Sequence, residues 1–269
     1  MNPLTFTLNQ KLEQRIDLSP LTPDQLHGKT IEEIRLIHLE FGKLRIPTGQ
    51  IFDITGNDSN DIVFSNCSSK SDFIGKNMQS GRISVYGDVG ACLGFQMKNG
   101  EIFVHGNAGT FAASGMSAGL ISINGNAGDF LGAAYFGDRK GMKGGTVIVS
   151  GNAGDRVGDQ MRRGVILIEG DAGNYCASRM LAGTIGVLGN VGEHIGFSMR
   201  RGTVLLFKPP KLHPTINDCG SITLPFLKLL FKSFEPLPTK FAKIKKDRVR
   251  KYAGDIANDG KGEILLFND

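Results

Sequence analysis

Residues 81–100 read Gly81-Arg82-Ile83-Ser84-Val85-Tyr86-Gly87-Asp88-Val89-Gly90-Ala91-Cys92-Leu93-Gly94-Phe95-Gln96-Met97-Lys98-Asn99-Gly100, and this outline returns along the chain. Units open at Gly81, Gly100, Gly119, Gly145, Gly164 and Gly183, and Gly202 starts one more strand. The interval is 19 residues everywhere except the third, which is 26. Two and four places after each opening glycine stand apolar residues: Ile83/Val85, Ile102/Val104, Ile121/Ile123, Val147/Val149, Ile166/Ile168 and Ile185/Val187. A period of two marks a strand with one buried face. A Gly-(Asn/Asp)-(Ala/Val)-Gly corner follows, as in Gly106-Asn107-Ala108-Gly109, where glycine and asparagine tolerate the left-handed backbone of a sharp turn. A second corner falls at Gly94, Ala113, Gly132, Gly158, Ala177 and Gly196. A methionine stands three residues before each opening glycine: Met78, Met97, Met116, Met142, Met161, Met180 and Met199. With Met1 these are all 8 methionines of the chain.

Short strands between glycine corners, repeated without helices, predict a solenoid: an all-β, right-handed parallel β-helix of about seven coils with small mixed α/β flanking segments. Coils stacked about 4.8 Å apart bury together what none buries alone. The methionines then line the core and fill the room left by glycine corners. Packing accounts for their spacing, so a soft-metal site is not expected. The Asn/Asp residues of the corners are expected to hydrogen-bond from coil to coil. Residues 61–80 form a degenerate first coil, as terminal repeats do.

The organisation expected is a capping segment over 1–60, the Gly-rich domain over 61–207, and a helix-and-strand segment over 208–269 packing on the solenoid. In the first flank Leu4–Leu8 reads as a strand, and Thr22-Pro23 as a helix start. In the last, 224–234 reads as a short apolar helix and 263–267 as a strand. Outward strand positions are Ser84, Phe103, Ser122, Ile148, Leu167, Gly186 and Leu205. Four sizeable apolar residues there need cover, from the flanks or from a partner subunit.

No run reaches the roughly 20 apolar residues of a membrane helix, and the first residues lack a signal peptide's pattern, so the cytoplasm is the expected compartment. Cys67, Cys92, Cys176 and Cys219 show no CxxC spacing and read as reduced, buried thiols. The five histidines have no metal-ligand spacing, no nucleophile–base pair is recognisable, and no phosphate-loop motif occurs. Neither a catalytic nor a metal site is therefore expected in this chain. Nineteen is not a multiple of six, which argues against a hexapeptide acyltransferase. The net charge of +5 leans toward an anionic partner. The basic run from Lys240 to Lys251 has thin aromatic support, so a solvated or subunit-contacting role is expected over nucleic-acid binding.

The serial Gly-x-Ile-x-Val-x-Gly-Asn-Ala-Gly units, the Met-x-x-Gly closures, the interrupted third coil and the terminal Gly254-Asp255…Gly260-Lys261-Gly262-Glu263-Ile264-Leu265 together resemble the C subunit of formylmethanofuran dehydrogenase over nearly the whole chain. The repeats alone are also similar to the C-terminal β-helix domain of the large glutamate synthase chain, which leaves a glutamate-synthase-like structural subunit as the alternative. The first resemblance implies a companion of catalytic chains that handle a formyl group on an aminomethylfuran carrier with an oligoglutamate tail. Methanogen complexes of this kind contain a tungsten or molybdenum subunit and a zinc amidohydrolase subunit. The methylotroph formyltransferase/hydrolase complex moves the formyl group from tetrahydromethanopterin to the carrier and hydrolyses it. Residues Asp17 to Asp24 and the basic balance look more like the methylotroph form. The partners implied are amidohydrolase-like and formyltransferase-like subunits and the polyglutamylated methanofuran-type carrier, with no cofactor in this chain and any metal in the partners.

Arg162-Arg163 and Arg200-Arg201 stand at equivalent places two coils apart, roughly 10 Å by coil spacing, with Lys98 at the place of Arg162 further up. Guanidinium groups in a row suit a chain of carboxylates, so these five residues are the expected tail-binding set, against a solvated edge or salt bridges to a partner. The insertion in the third coil makes a loop, whose Tyr135, Phe136, Arg139 and Lys140 are expected at an interface, against aromatics folded back on the coils.

Overall fold

The structure is a computed structural model that describes residues 2–267. Met1, Asn268 and Asp269, the outermost ends of the two expected flanks, lie outside the described residues. In chain order the elements are β1 (Pro3–Leu8), β2 (Ile16–Asp17), α1 (Pro23–Leu26), α2 (Ile31–Arg35), β3 (His38–Phe41), β4 (Leu44–Pro47), α3 (Thr48–Ile51), β5 (Phe52–Thr55), β6 (Asp58–Cys67) and β7 (Ser71–Asp72). The repeats supply β8 (Arg82–Gly87), β9 (Glu101–Val104), β10 (Leu120–Ile123), β11 (Lys143–Val149), β12 (Arg163–Ile168), β13 (Thr184–Val187) and β14 (Thr203–Leu206). The chain ends with β15 (Asn217–Thr223), α4 (Phe226–Phe234), β16 (Arg248–Gly254) and β17 (Gly262–Leu266).

Most regular structure is β, in a 13-stranded mixed sheet ordered β15-β16-β17-β14-β13-β12-β11-β10-β9-β8-β6-β1-β5 and a 4-stranded sheet β4-β3-β2-β7. The large sheet stays open, with β5 and β15 at its edges, and closes no barrel. Equivalent residues of successive repeats pair in parallel: Ile83 with Ile102, Ile102 with Ile121, Ile121 with Val147, Val147 with Ile166, and so on to Val204 with Ile264 of β17. A second line of parallel bridges links Val89, Ala108, Ala127, Ala153, Ala172 and Val191 at the Gly-Asn-Ala-Gly corners. The first flank joins the same sheet. β1 runs parallel to β6 in register Phe6 with Phe64, because Leu4, Phe6 and Leu8 alternate inward.

The methionine row is buried from Met78 to Met199, none more than 1% exposed. Its periodicity and that of the opening glycines have one cause. A side-chain carbon added at Gly100 would meet the Met78 methyl at 2.7 Å, at Gly119 that of Met97 at 2.9 Å, at Gly183 that of Met161 at 2.9 Å, and at Gly202 that of Met180 at 2.6 Å. Each methionine methyl occupies the space of the Cβ that a later glycine lacks. The Asn/Asp residues form the expected ladder: Asn107, Asn126, Asn152, Asp171 and Asn190 N–H groups each donate to the side-chain oxygen of the preceding member, at 2.6–2.8 Å. A second ladder that the repeat had not disclosed runs beside it, through Asp129, Asp155, Asn174 and Glu193.

Two of the four outward apolar residues, Leu167 and Leu205, are covered by the chain's own C-terminal segment, while Phe103 stays half-buried with the Arg82 guanidinium 5.5 Å from its ring centre. Leu167, Leu205 and Leu265 pack with Leu227, Phe231 and Phe234 of α4 and with Phe241 and Val249 in a second core, and Ile148 is likewise 0% exposed. Gly186 interrupts this row because Phe241 needs its place: a Cβ there would stand 2.6 Å from the Phe241 ring. Glu169 pins the cover, accepting from Thr239 Oγ1 at 3.0 Å and Lys240 N at 2.7 Å. Helix α4 starts at Phe226, two residues later than expected, since Pro225 lies at its N-cap. One expectation fails. Cys67, Cys92 and Cys176 are buried, and burial pushes their thiols up to about 12, about 11 and about 12, but Cys219 lies exposed on the edge strand β15.

A basic cleft as the candidate functional site

The residue after each methionine donates its backbone N–H to the methionine carbonyl one repeat earlier: Lys98 to Met78, Ser117 to Met97, Lys143 to Met116, Arg162 to Met142, Leu181 to Met161 and Arg200 to Met180, at 2.6–2.9 Å. Lys261 donates to the Arg200 carbonyl at 2.7 Å and, by the pairing of Thr203 with Glu263, stands opposite Arg201 in the neighbouring column. Lys98, Arg162 and Arg200 therefore share one column, as their spacing requires, and Arg163 and Arg201 share the next. The first column also contains Lys143 and the second Lys261, which the paired-arginine pattern had not disclosed, and Ser117 and Leu181 interrupt the first.

The structure brings only part of the expected set into a concave site. Arg200 and Arg201 line a cleft of about 510 Å³ with Leu181, Asn258, Asp259 and Lys261. An adjoining cleft of about 310 Å³ shares Leu181, Arg200 and Asn258 with it and adds Arg139, Gln160, Arg179 and Ser198. Arg162, Arg163 and Lys98 line neither cleft; they stand exposed along the same edge. Arg139, Arg200, Arg201 and Lys261 form no ion pair among the described residues. Their charge is available to a ligand.

The insertion loop divides in two. Tyr135 lies back on the repeats, its ring 5.1 Å from both Phe95 and Phe111, while Phe136 packs 5.0 Å from Phe111 and stays 76% exposed. Beyond them Arg139 reaches the cleft, and Lys140 is exposed.

One wall of the cleft is anchored by a buried carboxylate. Asp159 is 3% exposed and accepts from Ser178 Oγ at 2.9 Å, from Arg179 Nε at 2.9 Å and from Arg179 Nη2. The Asp159 hydrogen bond raises the Arg179 pKa above its ordinary value and holds the side chain in one place. Gln160, with its amide oriented to satisfy both neighbours, donates to the Arg139 carbonyl at 3.2 Å and accepts from Arg179 Nη1 at 3.3 Å. Asp159 occupies a column filled elsewhere by Lys76, Phe95, Ser114, Ala133, Ser178 and Phe197, and its being the one carboxylate there is a signal that the sequence reading passed over.

The opposite wall is the segment 254–262, which closes over the last repeat. Asp255, 3% exposed, accepts from Ser198 N at 3.0 Å, Ala257 N at 3.1 Å and Asn258 Nδ2 at 3.0 Å. Burial pushes its pKa up, but these bonds and one from Thr215 outweigh burial and leave it below its ordinary value of 3.8. A lowered carboxylate stabilises the fold above its unfolded pKa, and that contribution fades as pH falls through the folded one. The protection factors of the Ser198 and Lys261 amides, taken against the intrinsic rate at each pH, are therefore expected to fall on acidification below about pH 4, and Asp255→Asn should flatten that dependence. An unchanged profile in the variant would show that other groups hold this wall.

Among the described residues no group of three His, Cys, Asp or Glu side chains is placed to hold a metal ion, and no helix is long and apolar enough to cross a membrane. What the cleft can do chemically is bind anions in a fixed geometry.

No family model matches the chain. It is 48% identical over 262 residues, 97% of its length and 98% of the relative's, to the C subunit of the formyltransferase/hydrolase complex Fhc of Methylorubrum extorquens. The C subunit of the tungsten-containing formylmethanofuran dehydrogenase 2 of Methanococcus maripaludis is 32% identical over 92 residues, 34% of each chain. Its counterpart in the molybdenum-containing enzyme 1 of Methanothermobacter marburgensis is 42% identical over 93 residues, 33% of this chain and 23% of that one. A chain of the crystal structure of the M. extorquens complex FhcABCD with methylofuran matches with a TM-score of 0.94 and 38% identity, over 98% of this chain and 100% of that one. The methanogen likeness stops at about a third of the chain, whereas the bacterial one runs through both flanks. By this full-length likeness the chain belongs to the family of formylmethanofuran dehydrogenase C subunits, in its formyltransferase/hydrolase form.

Proposed function

We propose that the chain is a non-catalytic subunit of a formyltransferase/hydrolase complex, and that its basic cleft holds the polyglutamate tail of the furan carrier. The observation that carries this is the convergence of Arg139, Arg200, Arg201 and Lys261, unpaired, on adjoining clefts beside the ordered Arg179. A tail of carboxylates is matched by forked guanidinium donors set at strand spacing. Arg162, Arg163, Lys143 and Lys98 continue the same edge and extend the track for a longer tail. The relative's complex was crystallised with methylofuran, which supplies the ligand class.

The scaffold role rests on the repeat, where the glycines, methionines and Asn/Asp ladder are all accounted for by packing. In this reading the parallel strands of 61–207 wind as a right-handed β-helix of about seven coils, with 1–60 as a cap and 208–269 as an outer cover. Phe136 and Lys140, exposed on the insertion, meet an amidohydrolase-like or formyltransferase-like companion, with Tyr135 as the support beneath. The four unpaired thiols suit the reducing cytoplasm.

Purification of the tagged chain from its own cells tests the assignment. Companion amidohydrolase-like and formyltransferase-like chains and a furan carrier are expected to come with it. Companion glutaminase or synthase chains, or formyl-carrier turnover by this chain alone, would overturn it.

A further inference from the structure

Residues 208–253 carry eleven lysines and arginines against three aspartates and glutamates, a net +8 in a chain whose total is +5. Five of those cations are held in ion pairs: Lys211 with Glu193, Lys228 with Asp247, Lys240 with Glu169, Arg250 with Asp218 and Lys251 with Glu263. Lys232, Lys243, Lys245 and Arg248 form no ion pair among the described residues.

This basic cover also leaves apolar surface bare. Helix α4 buries Leu227, Phe231 and Phe234, yet Phe226 and Leu229, three residues apart on another stripe, are 41% and 73% exposed. Ile222, 44% exposed, lies opposite Val249, so it shares the sheet face that carries α4. Ile222 belongs to β15, the terminal strand of the sheet, all seven of whose residues are exposed. Its outward N–H and C=O groups face no further strand. An edge of this kind is normally blunted. Here the register shift between Asp218 and Ser221 interrupts the first half and leaves Ser221–Thr223 regular, beside Arg248 and next to α4.

We propose that this face docks an acidic, extended segment of a companion subunit, which adds a strand along Ser221–Thr223 and lays apolar side chains on Ile222, Phe226 and Leu229. The inference rests on the reading of the chain as one subunit of several. The edge backbone selects a polypeptide, because a strand satisfies those groups and a lipid surface leaves them without partners. Nucleic acid is disfavoured because Phe226 is the one large exposed ring in 208–253 among the described residues. The unpaired cations select acidic flanks on the segment.

The test uses the assembled complex purified with its companions. A carbodiimide joins carboxylates to amines in contact, and links from Lys232 or Lys245 to Asp or Glu in a net-negative segment of one companion are expected. Leu229→Glu with Arg248→Glu, both exposed positions, should weaken retention of that companion about tenfold or more while the thermal midpoint of the isolated chain holds. Links to no companion, to a neutral or basic segment or to a second copy of this chain, or full retention by the double variant, would overturn the docking surface and leave the subunit reading standing. A wild-type chain that binds phosphatidylglycerol vesicles or duplex DNA, with that binding lost in the double variant, would equally overturn it. A chain that purifies without companions would remove the subunit reading, and the docking surface with it.

Discussion

Met161→Ala is expected to lower the unfolding free energy by about 2–5 kcal/mol, the range for truncating a fully buried long side chain. The upper half is favoured, because the cavity has few ways to collapse. Met161 is 0% exposed, and its methyl sits against the bare α-carbon of Gly183, which has no side chain to swing inward. Gly183→Ala meets two obstacles. Its φ is +114°, a conformation that L residues avoid, and the new carbon would stand 2.9 Å from the Met161 methyl. The double variant removes the clash and keeps the backbone strain. Its destabilisation should fall short of the sum by about 0.5–3 kcal/mol, the range for residues in contact. Urea titrations of the four proteins supply the cycle, and strict additivity would show that the methyl and the glycine are not interlocked.

Arg200→Ala with Arg201→Ala should weaken carrier binding by the assembled complex about a hundredfold. Hydrogen bonds to charged groups contribute about 1.5–3 kcal/mol each, discounted here because both arginines are exposed. The effect should shrink with added salt, as screening at an open site requires. Arg162→Ala with Arg163→Ala is the comparison that matters, since these residues share the two columns but line no cleft. A loss much smaller than the first is expected. Equal losses would favour an extended edge over a localised cleft, and no loss in either would sink the tail-binding role.

Strand positions, register, the methionine row and the Asn/Asp ladder were legible because the repeat places one residue type in one environment many times. A periodic residue reports a periodic contact, and the glycine–methionine contact produces two of these periods at once. The cleft was half legible. Its column arginines obey the repeat and could be found from their spacing, but Arg139 comes from the insertion, Arg179 and Gln160 from a corner, and Asn258 and Lys261 from the closing segment. Nothing periodic joins these, and only the folded chain brings them together. The bare outward leucines were visible in the sequence, yet the sequence left flank and partner equally able to cover them. Gly186 was the hidden indication: a glycine in a row of large residues marks where the Phe241 ring arrives.

The contact between methionine and glycine also behaves as a splice point. Met97 meets Gly119, twenty-two residues on; Met116 meets Gly145, twenty-nine on; and Met199 meets Gly262, sixty-three on, where a Cβ would come within 2.1 Å of its methyl. The stack is indifferent to how much chain runs between the two halves of the clasp. A loop of a few residues carries Arg139 to the cleft, and the far longer detour builds the whole basic cover before the strand resumes at Gly262. New surface can be inserted at such a seam without disturbing the repeats beneath, which makes the gap between a methionine and its glycine the natural place to graft a foreign module onto this chain.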